Sequence, residues 1–254
     1  MRARVGAAPL PALWAIVAPF RRHRLRCMSA DAPLRATRVW DLPTRVFHWA
    51  LAAAVIGLVI TGHVGGAALQ WHMRLGLTVL ALLVFRLVWG LIGGRWSRFA
   101  SFAYAPATLR RYLRGEHRPG DWFEVGHNPL GSLSVFALLA LLVAQVGTGL
   151  VADDEIATTG PLNRFVASAS ALKATAWHKG PGQWTLIALV ALHLVAIVAY
   201  RLRGTDLLRP MVHGDKALPA GAPVSADSAG TRALALAVAA ASTALAVWVA
   251  GLGG

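Results

Sequence analysis

Cysteine is nearly missing from this 254-residue chain, in which Cys27 stands alone. That excludes an internal disulfide and any zinc or iron–sulfur site built on several thiolates, so a bound metal has to be held by nitrogen or oxygen. No CxxCH run and no glycine-rich nicotinamide or flavin fingerprint occurs either. Charge is also scarce: 14% of residues are Asp, Glu, Lys or Arg, against about a quarter in an ordinary soluble domain. Acid is the rarer sign, with 11 acidic residues to 25 basic ones, and none of the acidic residues falls inside a long apolar run. A permease that relays protons usually places carboxylates there.

What the chain has in abundance is apolar surface, with 56% of residues hydrophobic. Uncharged or nearly uncharged runs fall at roughly 47–69, 72–94, 129–152, 181–200 and 233–254. Each is close to the roughly 20 residues that a helix needs to cross about 30 Å of hydrocarbon. The expected fold class is therefore all-α: an integral membrane up-down four-helix bundle with a fifth, C-terminal transmembrane helix. A net charge of +14 could suit nucleic acid, but the basic residues sit between apolar runs rather than on an aromatic-laced face. They collect before the first run (Arg38, Arg45), between the second and third (Arg95, Arg98, Arg110, Arg111) and after the fourth (Arg201, Arg203, Arg209), whereas the connection after the third run carries Asp153, Asp154 and Glu155. By the positive-inside rule the N-terminus is cytoplasmic and the C-terminus lies outside. The charge reports topology, and no nucleic-acid partner is expected.

The segments outside the runs divide as follows. Residues 1–36 form a cytoplasmic lead-in, in which an apolar stretch from Leu10 to Phe20 is followed at once by Arg21, Arg22 and Arg24. That order is wrong for a signal peptide, and translation starting at Met28, or an interfacial helix, explains it. Residues 37–216 form the membrane domain. Its long loop from Arg95 to Gly126 mixes aromatics with arginines, and Tyr104 to Arg114 reads as a short helix in the headgroup layer. A second long connection, 152–180, is rich in Ala, Ser and Thr. Residues 217–231 read as a linker, and 232–254 as an added helix that looks like an appendage to the four-helix core.

Nine histidines are present, and an imidazole inside hydrocarbon is costly unless it pairs with something. His193 is the clearest case, set in Leu-Val-Ala-Leu-His-Leu-Val-Ala with no polar neighbour; a plain interhelical hydrogen bond is the alternative. His48, three residues after Arg45, opens the first run at its inner end. The fourth run travels from outside to inside, so His193 comes down to the level of His48, while His72 and His178 both stand at outer ends. Four histidines so placed suggest two iron porphyrins, one at each level. The 15 residues from His178 to His193 make about 22 Å of rise in an unbroken helix, with the two rings about 60° apart around the axis. Arg86 interrupts the second run 14 residues after His72, about 21 Å deeper, where it either pairs with a haem propionate or snorkels to the headgroups. Gly57, Gly62, Gly76, Gly147 and Gly149 leave room for a flat macrocycle or serve plain helix packing. His63 is a substitute outer ligand for His72 or His178. His127 reads as an N-terminal cap or interfacial group, and His23, His117 and His213 as solvated.

Three segments carry a resemblance: Arg38-Val-Trp-Asp-Leu-Pro-Thr-Arg-Val-Phe-His48-Trp, His127-Asn-Pro-Leu-Gly, and Leu192-His193 followed by Leu207-Leu208-Arg209-Pro210-Met211 and Gly214-Asp215-Lys216. Over about Thr37 to Lys216 the chain resembles the bacterial cytochrome b561 and nickel–iron hydrogenase cytochrome b group. The resemblance implies a four-helix core in the bacterial inner membrane with two b-type haems, each held by two histidines. By position these are His48 and His193 for the inner haem and His72 and His178 for the outer. The interval from 178 to 193 is about one residue longer than in relatives, which keeps His63 in play. Two imidazoles on each iron leave no open place for substrate, so such haems pass electrons. The expected function is electron transfer between quinone and a redox partner, a cytochrome c or a hydrogenase or dehydrogenase subunit. A stand-alone quinone oxidoreductase acting on a small molecule such as superoxide is the second reading, and a haem-free permease or scaffold the third.

Overall fold

The structure is a computed structural model that describes residues 33–118, 120–156 and 158–253. The expectations on the apolar stretch from Leu10 to Phe20, on His23, Cys27 and the start at Met28 lie outside the described residues.

Among the described residues, five helices are long and apolar enough to cross a membrane. The first, α1 (Leu42–Val64), begins where Asp41 takes the N-cap: its side chain accepts from the Thr44 amide at 2.8 Å, and Pro43 occupies the first turn, where a missing N–H costs nothing. A tight bend at Gly65 (φ 66°), a left-handed conformation that suits glycine, turns the chain into α2 (Leu69–Ile92). After the aromatic loop and its short helix α3 (Pro106–Leu113), Asn128 caps α4 (Pro129–Leu150) by accepting from Gly131 N at 2.7 Å.

The fourth span differs from the expectation. Residues 168–177, part of the expected 152–180 connection, form α5 (Ser168–Trp177), which continues through a π turn at His178–Gly182 into α6 (Gln183–Leu202). The cause is local: Pro181 has no amide to donate, and Gly180 takes a non-helical φ of −109° and ψ of −109°. An unbroken helix therefore does not connect His178 to His193, and the 60° relation does not carry over.

The short helix α7 (Leu208–His213) leads to a strand, and the last span, α8 (Ala229–Gly251), starts at the Ser228 cap. Two strands were not expected. β1 (Leu34–Arg38) pairs antiparallel with β2 (Asp215–Pro219), Arg38 opposite Asp215. Arg38 clasps Asp215 and Asp227 at 2.7 Å each, and Asp227 also holds Arg232. The linker is thus tied down, with Ser225 Oγ accepting from the Trp96 amide and Pro223 O from Trp96 Nε1. Beneath it Val39, Trp40, Trp96, Val125 and Leu218 form an apolar floor that closes the arginine-rich end of the bundle. Ala54, Val79, Leu83, Leu142 and Leu186 form the core at mid-bundle. The last span is more than an appendage: Ala235 packs into Phe47, Phe85 and Trp89, and α8 runs along α2.

Candidate functional site

At the end of the bundle away from the arginine-rich loops, α2 and the π turn bring His72 and His178 together. Their ring centres are 5.9 Å apart and their planes 84° apart. Two metal–nitrogen bonds of about 2.0–2.1 Å plus two ring radii come to roughly 6 Å, so the spacing fits one ion shared between the rings. Both rings are held by backbone from a neighbouring helix: His72 Nδ1 meets Leu58 O at 3.0 Å and His178 Nδ1 meets Gln145 O at 2.9 Å. An Nδ1–H donated to a carbonyl leaves Nε2 unprotonated, which is the ligating form, and fixes the ring's orientation. Gln145 also donates Nε2 to His178 O at 3.2 Å, and Thr148 Oγ1 stands 3.3 Å from His178 Nδ1. Gln145 and Thr148 escaped the sequence reading, although a glutamine inside an apolar run is a signal that could have found them.

A cavity of about 300 Å³ adjoins the two imidazoles, lined on its walls by Val59, Gly76, Leu142 and Ile187 among others. Glycine shapes it. A Cβ on Gly62 would stand 3.1 Å from His72 Nδ1 and one on Gly149 3.0 Å from His178 Cε1, while Gly76 faces open space. Two imidazoles with both Nδ1 atoms committed to carbonyls, beside an apolar cavity, fit a porphyrin iron held by two histidines. His63 lines the same cavity but is exposed, with Nδ1 bound to Val59 O at 2.8 Å and Nε2 3.2 Å from Gln183 Nε2.

At the arginine-rich end, His48 of α1 and His193 of α6 are both half-buried, and His193 is near enough to act electrostatically on His48. His48 Nδ1 is buried with no hydrogen-bond partner. An imidazole with a buried, orphaned nitrogen and a second imidazole nearby are again a donor set that suits a metal bound through two histidines. Arg86 has not snorkelled: it is 3% exposed, stacks over Phe99 at 4.5 Å, and its Nη1 has no partner.

His127 departs from the expectation of a cap. Asn128 performs the capping, and the His127 ring instead lies between Trp40 and Phe102, with centroid distances of 4.8 and 4.6 Å. Burial, then the charges of Arg86, Lys216, His48 and His193, push its pKa down to about 3, so it is neutral near pH 7. His117 and His213 are exposed, as expected.

The B-type cytochrome subunit of Ni/Fe-hydrogenase 1 from Escherichia coli, named as probable, is 21% identical over 69% of this chain and 88% of its own length. The probable Ni/Fe-hydrogenase B-type cytochrome subunits of Bradyrhizobium diazoefficiens and Cupriavidus necator are 22% and 25% identical, over 70% and 74% of this chain and 85% and 89% of their own. No solved structure matches. The family described as prokaryotic cytochrome b561 matches residues 39–214, a stretch that contains His48, His72, His178 and His193, and the chain belongs to that family.

Proposed function

We propose that the chain is a di-haem b-type membrane cytochrome, with one haem held by His72 and His178 and the other by His48 and His193, that carries electrons between the quinone pool and a redox partner. The observation that carries this reading is the pair of imidazoles from α2 and the π turn, set 5.9 Å apart with both Nδ1 atoms committed to carbonyls. An iron porphyrin held there by His72 and His178 would supply single-electron exchange. The chain's residues do the rest. Leu58 O and Gln145 O hold the outer imidazoles in the ligating tautomer, glycines at 62, 76 and 149 would leave a macrocycle its width, and Arg86 would offer its guanidinium to a propionate. Apolar walls set a low dielectric that tunes the potentials.

The relatives are named as hydrogenase subunits, and this supports a hydrogenase as the partner. The arginines of the loops around α3 and α7 support a cytoplasmic N-terminus and periplasmic C-terminus in the bacterial inner membrane. The test is spectroscopic. Purified protein reduced with dithionite shows a sharp b-type α-band, and a quinol analogue reduces it as well. A colourless protein contradicts the cytochrome, and a coloured one indifferent to quinol contradicts the quinone role.

A further inference from the structure

Five buried side-chain polar atoms have no hydrogen-bond partner among the described residues, and four of them crowd the arginine-rich end: Arg45 Nε, His48 Nδ1, Arg86 Nη1 and His127 Nδ1. All four are nitrogens. Buried donors without acceptors are costly, and a buried cation without a counter-ion more so.

Arg86 and His127 share one wall, because Phe102 carries the His127 ring at 4.6 Å and lies 6.0 Å from the Arg86 guanidinium. Lys216 is the third member, near enough to act on His127. Its ammonium donates to Glu124 O at 3.0 Å and Val125 O at 2.8 Å, and an ammonium has a third proton to give. The carboxylate that Arg86 feels is Asp41, but Asp41 has none to spare. Its Oδ1 accepts from Thr44 N and Trp89 Nε1, and its Oδ2 from Gly94 N and Ser97 Oγ. Glu124, which also acts on Lys216, is exposed. The pocket therefore has cations and donors from three separate segments and lacks the acceptor they converge on.

We infer that His127 and Lys216 join Arg86 in a carboxylate-binding pocket that receives the propionates of the inner porphyrin. The inference rests on the di-haem reading and deepens it, adding two residues from outside the membrane spans to the grip on the inner group. Geometry selects the ligand: donors on α2, on the loop before α4 and on β2 gather around Phe102 and residues 124–127 at the end of the bundle that holds His48, and a porphyrin edge with two carboxylates would meet them there. An anionic lipid phosphate is the competing source of the same charge.

The experiment uses the holoprotein in vesicles of phosphatidylcholine or of phosphatidylglycerol. Resonance Raman reads the propionate bending modes, and a redox titration reads each haem, the outer one serving as internal control of folding. His127→Leu is expected to shift the inner haem's propionate modes. Lys216→Gln, by removing a positive charge, is expected to move the inner haem's reduced-to-oxidised ratio at fixed poise about tenfold toward ferric, and Lys216→Arg to restore it; the outer haem stays put in all three. Unchanged modes and unchanged inner potential in both His127→Leu and Lys216→Gln overturn the pocket while leaving the cytochrome intact. A response seen only in phosphatidylglycerol assigns the anion to lipid and also overturns it. Failure of the wild type to bind haem removes the parent reading instead.

Discussion

His72 and His178 come from opposite halves of the chain, yet their rings meet at 5.9 Å with planes 84° apart. Gly149 stands directly behind the second ring, since a Cβ there would lie 3.0 Å from His178 Cε1. A branched side chain at that position has to displace the imidazole. Gly149→Val is therefore expected to lower the haem-to-protein ratio by about half, with the remaining haem keeping its wild-type potential. A pyridine haemochrome assay with redox titration reads both; full haem content in this variant would separate Gly149 from the site.

Gly76 gives the complementary test. It lines the cavity and nothing stands within 4 Å of its would-be Cβ, so a Gly76→Leu side chain starts into open cavity space, and the exchange gains roughly 1 kcal/mol of helix propensity. The expected result is a chain that folds normally but has lost its outer haem, because the new side chain fills space that the macrocycle needs. Retention of the haem in a well-folded Gly76→Leu protein contradicts the cavity's assignment.

The membrane helices were legible in the sequence because they are set by where apolar runs begin and end. The closeness of His72 and His178 followed from their standing at the same end of their runs. The π turn was not legible: Gly180 and Pro181 looked like the end of a loop, and their effect depends on α5 continuing outward. The β1–β2 pair joins segments at opposite ends of the membrane domain and lacks a clean alternating pattern, so its register comes from tertiary contacts. His127 was misread because the cap belongs to its neighbour Asn128, and only the folded loop shows Trp40 and Phe102 closing over the ring.

Asp41 ties the start of α1 to the end of α2. It is fully buried and accepts four hydrogen bonds, from Thr44 N, Trp89 Nε1, Gly94 N and Ser97 Oγ. Asp41→Ala removes a helix cap worth about 1 kcal/mol and strands buried donors at about 1–3 kcal/mol each. A loss of roughly 3 kcal/mol or more is expected, read as a marked fall in melting temperature in detergent. A melting temperature within a degree or two of wild type would show that the cap is dispensable.

Asp227 links acidity to the integrity of the arginine-rich end. Burial raises its carboxyl, but hydrogen bonds from Arg232 and the Leu42 amide and the charges of Arg232 and Arg38 outweigh that and hold it below the usual carboxylate value of 3.8. A carboxylate depressed in the folded state contributes stability that is whole above the unfolded value and fades as pH falls through the folded one. Wild type should melt well above Asp227→Asn at pH 6, and the gap should narrow below about pH 3.8. A gap that is constant from pH 6 to pH 3 would contradict this role.

Haem content of the four single variants His48→Ala, His72→Ala, His178→Ala and His193→Ala, each resolved into two redox components, tests the paired-imidazole arrangement most directly. The wild type should contain about two haems per chain. His72→Ala and His178→Ala should each lose the same component, with the double variant losing no more than either, and His48→Ala and His193→Ala should both lose the other. Loss of one component by His72→Ala and of the other by His178→Ala, or full haem content in His193→Ala, would contradict it.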